Sequence, residues 1–67
     1  MNTMHPDDLK IMTLIDLAVA HFASAFKPNY NDIAAFVEEQ NSKAFHLPFT
    51  LELGVAQRVY LRTRPNN

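Results

Sequence analysis

The sequence has no cysteine, no tryptophan and a single glycine. Without cysteine the chain has neither a disulfide framework nor a thiol nucleophile. One glycine, Gly54, is too few for a glycine-rich phosphate-binding loop. The serines, Ser24 and Ser42, lie in no recognisable nucleophile context. These absences predict a protein that is not an enzyme and that uses no cofactor.

The histidines are also too scattered for a metal site. His5, His21 and His46 fall in a tail, a helix and a loop, without the paired spacing of zinc ligands. With 67 residues and 48% apolar residues the chain is expected to form one small globular domain, with 1–5 and 65–67 as flexible tails. Hydrophobic packing or a partner chain must therefore supply its stability.

No apolar run is long enough for a membrane helix. The longest stretch, 11–25, ends in small residues as a signal-peptide cleavage site does, but Asp16 and His21 interrupt it and two acids precede it. It is also shorter than the roughly 20 apolar residues that span a bilayer. The sequence predicts a cytoplasmic protein without membrane contact.

An amphipathic helix is predicted from Leu9 to Phe26. Pro6 and the two acids after it suit a helix start, since carboxylates there favour the positive end of the helix dipole. The apolar face comprises Ile11, Leu14, Ile15, Ala18, Val19, Phe22, Ala25 and Phe26. This face covers about half the circumference, so the helix needs several neighbours or a dimer interface. Leu17 is an apolar residue that lies among the polar positions of the helix, and it is the candidate for the dimer interface.

A second helix is predicted over 32–40. Asn29 or Asn31 is expected to cap it, and Ile33, Phe36 and Val37 form its buried stripe. Asn41 and Ser42 are expected to end it. The stretch 43–48 that follows is ambiguous and allows a short extended piece.

The C-terminal segment fits two periods. Alternation from Phe49 to Leu61 is typical of a strand, whereas Val55, Ala56, Val59 and Tyr60 fit helical spacing. No tight-turn pair divides the segment into a hairpin, which favours a helix over about 50–62. The predicted fold is mainly α, a small single domain of three helices. The alternative is α+β, with two helices and a C-terminal strand pair.

Charge is distributed unevenly despite a net charge of -1. All seven acids lie at or before Glu52, and the only charged side chains after it are Arg58, Arg62 and Arg64. This asymmetry indicates a basic C-terminal segment on a mildly acidic body.

The basic segment resembles the helix-turn-helix motif in one arrangement. Phe49 and Leu53 would form the buried side of a first helix and Gly54 the turn. Gln57, Arg58 and Arg62 would then lie exposed on a second helix, and the resemblance implies contact with DNA. In a strand, a row of Arg58, Tyr60, Arg62 and Arg64 would instead contact phosphates and stack on a base.

Two functions therefore remain open from the sequence. One is a small regulatory protein that binds nucleic acid through Gln57, Arg58, Tyr60, Arg62 and Arg64. The other is a small protein-binding module or inhibitor that acts as a homodimer, in which the arginines pair with acids of the partner. An ordinary solvated face accounts for the arginines equally well.

Overall fold

The computed structural model describes residues 5–23 and 28–63, and this part of the chain contains helices and no strand. Three α-helices follow one another, α1 (Pro6–Phe22), α2 (Tyr30–Gln40) and α3 (Phe49–Thr63). One turn of π-helix, Asn41–Phe45, continues directly from α2. The predicted mainly α fold of three helices is confirmed, and the alternative with a C-terminal strand pair is wrong.

The start of α1 follows from its sequence. Pro6 occupies the first turn together with Asp7 and Asp8. His5 caps the helix, because its Nδ1 accepts a hydrogen bond from the Asp7 backbone N–H at 3.1 Å. His5, which the sequence placed in the tail 1–5, is thus the cap of α1. The other residues of both predicted tails lie outside the described part of the chain. The same holds for the predicted end of the helix at Phe26.

The start of α2 also follows from a capping side chain. Asn29 Oδ1 accepts a hydrogen bond from the Asp32 backbone N–H at 2.8 Å, so Asn29 is the cap that the sequence offers. The helix begins at Tyr30, two residues before its predicted start. The α-helix ends at Gln40 with Asn41 as its C-terminal cap, as predicted, but Asn41 keeps helical backbone angles and opens the π-helical turn.

The π-helical turn replaces the extended piece that the sequence allows. The His46 backbone N–H donates to the Asn41 carbonyl at 2.7 Å, which closes the wide i to i+5 turn. His46 then adopts a left-handed conformation with φ 59°, and this reversal ends the turn. Leu47 returns to the interior, and Pro48 precedes α3.

A single apolar core joins the elements. Its buried members are Leu14, Ile15, Ala18, Ile33, Val37, Leu47, Val55, Ala56 and Val59. All of them except Leu47 lie at helical spacing on a helix. Of the predicted stripes, the central positions of α1 and α2 are buried, Ile11, Val19, Phe22 and Phe36 are half-buried, and Ala25 and Phe26 lie outside the described residues. Helix α1 packs against both α2 and α3, which gives its wide apolar face several neighbours within one chain.

Asn41 is the one buried polar side chain among the described residues. Its Oδ1 accepts a hydrogen bond from the Leu47 N–H at 2.6 Å, and its Nδ2 donates to the Leu47 carbonyl at 3.0 Å. Nδ2 also donates to Glu52 Oε1 at 2.8 Å. These bonds tie the π-helical turn to α3 and thereby set where α3 begins.

Candidate functional site

Helix α3 is continuous through Gly54. It extends from Phe49 to Thr63, and no glycine in the described part of the chain has a positive φ. The helix-turn-helix interpretation, in which Gly54 is a turn between two helices, is therefore wrong. Burial of Val55 and Val59 on one face holds Gly54 within a single helix.

The predicted contact residues do not all share one face of α3. Gln57, Arg58 and Arg62 are exposed, as the helical interpretation predicts. Tyr60 is half-buried and its ring meets the ring of Tyr30 edge to face, with centroids 5.7 Å apart. Tyr60 is therefore a packing residue between α2 and α3.

The basic row predicted for a strand is not formed. That row requires alternation, and the helix turns Tyr60 away from Arg58 and Arg62. Arg64 lies outside the described residues. The described part of α3 thus exposes two arginines to solvent, and they lie one helical turn apart.

An apolar row lies beside these arginines. Phe49, Leu53 and Leu61 share a row of i, i+4 spacing with Gln57, and all of them are exposed. Phe49 is 66% exposed and Leu61 is 58% exposed. The helix-turn-helix interpretation buried Phe49 and Leu53, and this placement is wrong. We define the α3 outer face as Gln57, Arg58, Leu61 and Arg62, with Gly54 between them. This face takes in the end of the apolar row that Gln57 and Leu61 form, whereas Phe49 and Leu53 continue the row towards the side of Tyr60.

Gly54 leaves a notch in the α3 outer face. It lies one turn before Gln57 and Arg58, and a Cβ placed on it would meet no other group within 4 Å. Glycine in a helix interior costs roughly 0.5–1 kcal/mol relative to alanine. The described residues leave room for a side chain at position 54. Packing within this chain therefore does not explain why this residue is glycine.

The α3 outer face carries positive charge alone. Glu52, the acid of α3, points inward and accepts the hydrogen bond from Asn41. Within 4 Å, the ion pairs between described side chains are His5 with Asp7 and Lys43 with Glu39. Neither pair uses Arg58 or Arg62, so both guanidinium groups remain available to a partner.

Two further residues on α1 were singled out from the sequence. Leu17 is 41% exposed, and its role in a dimer interface stays a prediction. His21 is exposed but lies at the edge of the core, because its ring stacks on Phe36 with centroids 4.1 Å apart.

Residues 5–23 and 28–63 contain no group of three side chains able to hold a metal ion. None of the helices there combines the length and apolar character that crossing a bilayer demands.

The α3 outer face combines two kinds of contact. Its apolar row offers surface that a partner would remove from water, and its arginines offer planar forks that pair with carboxylates or phosphates. Sequence reasoning found the arginines by their charge but missed the apolar row, which becomes visible only when α3 is known to be one helix.

Comparison of the chain with protein-family models, curated proteins and solved structures finds no match.

Proposed function

We propose that this is a small, non-enzymatic regulatory protein that acts by binding a protein partner through the α3 outer face. The partner element is a helix that carries an apolar row flanked by acidic side chains. One observation carries the proposal: the exposed Leu61 and two arginines that form no ion pair with a described side chain, with no acid between them, lie around the notch at Gly54.

A helix suits this face better than other partner elements do. The rows of α3 follow i, i+4 spacing, and helices pack by fitting such ridges into each other's grooves. Gly54 removes a side chain from the middle of the face, so a partner backbone can approach closely there. Carboxylates on the partner would meet Arg58 and Arg62, whose planar guanidinium groups each donate two parallel hydrogen bonds in a fixed geometry.

Nucleic acid suits the same face less well. Tyr60 packs on Tyr30, so its ring is not available to stack on a base. The described part of α3 offers two arginines, which would give a log-log salt slope of only about -2 on duplex DNA. The exposed Leu61 would gain nothing from a phosphate backbone, whereas a protein partner would bury it.

Charge reversal on α3 tests the proposal. The probe is a labelled helical peptide about 18 residues long, with leucines at i, i+4 and i+7 spacing, glutamates flanking that row and alanine elsewhere to favour the helix. We expect the native protein to bind it and Arg58→Glu/Arg62→Glu to bind at least about tenfold more weakly, because attraction becomes repulsion. Fluorescence anisotropy gives both affinities.

The matched control changes the net charge by the same amount elsewhere. Lys10→Glu/Lys43→Glu alters exposed residues of α1 and the π-helical turn and should keep the affinity within about twofold. A peptide with lysine in place of glutamate and a duplex DNA oligonucleotide should both bind more weakly than the acidic peptide. Tighter binding of the duplex, or equal binding of the two peptides, would refute the proposal.

A further inference from the structure

Two charged rows lie on the side of the bundle away from α2. On α1, Met12 lies opposite His21, whose ring contacts Phe36 of α2. On α3, the side opposite Tyr60 carries Arg58 and Arg62, and Tyr60 contacts α2 through Tyr30.

The row on α1 is acidic and apolar. Asp8, Met12 and Asp16 follow i, i+4 spacing, and Leu9 lies beside them. All four are exposed, Leu9 at 57% and Met12 at 52%. We define the α1 outer face as these four residues. Lys10, the lysine of α1, projects from another side of the helix, so the α1 outer face carries negative charge alone.

The two rows are complementary but unpaired within the chain. Among the described side chains no ion pair within 4 Å joins an aspartate of the α1 outer face to Arg58 or Arg62. One helix thus offers exposed apolar side chains with acids, and the other offers exposed apolar side chains with arginines. Each row therefore carries the kinds of side chain that the other row would bind.

We propose that the partner of the α3 outer face is the α1 outer face of a second copy of this chain. The inference rests on the proposed function, since it names the occupant of the same surface. In the pair, Asp8 and Asp16 meet Arg58 and Arg62 of the second copy, and Met12 packs beside Leu61 over the notch at Gly54. The helix named in the proposed function is then α1 itself.

A two-fold axis makes this contact twice. Both rows lie on the same side of each copy, so α1 of each copy lies on α3 of the other, and the assembly closes as a dimer. Phe49 and Leu53, which lie nearer the α2 side of α3, stay outside the contact. Leu17 also stays outside, because it projects from α1 about a quarter-turn or more away from Met12.

Charge exchange between two variants tests the dimer. Sedimentation equilibrium over concentrations from about 5 to 500 µM covers the range expected for a small interface. The native chain should form a reversible dimer. Asp16→Lys and Arg58→Glu/Arg62→Glu should each associate at least about tenfold more weakly, since each places like charges together. An equimolar mixture should recover much of the association, because one contact of the mixed dimer is native and in the other the introduced lysine meets an introduced glutamate, so that only Asp8 faces a like charge.

Control variants separate this arrangement from others. Glu38→Lys, the same charge change on α2, should associate as the native chain does, and circular dichroism should show that every variant is folded. A native chain that stays monomeric would overturn the inference. So would an unaffected Asp16→Lys variant, a mixture that does not recover, or dissociation by Leu17→Glu. A monomer that still binds the acidic peptide would overturn the dimer alone, whereas a monomer that binds no peptide would overturn the proposed function too.

Discussion

Replacing Asn41 with leucine is expected to lower the free energy of unfolding by about 3 kcal/mol. The change removes three hydrogen bonds, two to the Leu47 backbone and one to the Glu52 carboxylate. It leaves the buried Leu47 N–H without an acceptor, and a buried donor without a partner costs about 1–3 kcal/mol. A domain of this size has roughly 3–10 kcal/mol of stability in total, so the variant should be close to unfolded.

Urea denaturation followed by circular dichroism measures this effect. The matched control is Asn31→Leu, which makes the same replacement at an exposed position of α2 and should change stability by less than about 0.5 kcal/mol. Equal stability of the two variants would show that the Asn41 bonds do not hold the π-helical turn onto α3.

Replacing Leu14 with alanine is expected to have an effect of similar size. Leu14 is fully buried at the centre of α1, against a core to which all three helices contribute. Truncation of a buried leucine costs about 2–5 kcal/mol, because apolar contacts are lost and a cavity remains. The thermal midpoint should fall by well over 10 °C in a domain this small.

Leu17→Ala is the matched control for the core. It removes the same atoms from the same helix at a half-exposed position, so its cost should be below about 1 kcal/mol. Thermal denaturation at low protein concentration keeps any association from contributing to either value. If both variants lost the same stability, α1 would not pack as described.

Helical spacing was sufficient to predict most of the fold. The stripe of Leu14, Ile15 and Ala18 and the pair Ile33 and Val37 are buried because residues three and four apart share a helix face. The cap at Asn29 was predicted for a similarly local reason, since the hydrogen bond spans only three residues. Features that depend only on residues close together in the sequence could therefore be predicted.

Features that depend on contact between helices could not be predicted from the sequence. The sequence allowed Gly54 as a turn or as a helical residue, and burial of Val55 and Val59 against the other helices decides between them. The role of Asn41 in joining the π-helical turn to α3 was not predicted, because its bonds to Leu47 and Glu52 form only when α3 packs against the turn. Tyr60 was placed with the arginines for the same reason, as its contact with Tyr30 joins two helices.

The binding role of the α3 outer face is tested most directly at Gly54. Glutamine there is a better helix former than glycine, so Gly54→Gln should stabilise the folded chain by roughly 0.5 kcal/mol. Its side chain would fill the notch and hold a partner helix away. The decisive measurement is the affinity of this variant for the acidic helical peptide. We predict that binding weakens about tenfold although the fold is more stable. An affinity equal to that of the native protein would contradict the claim that a partner helix binds across the α3 outer face.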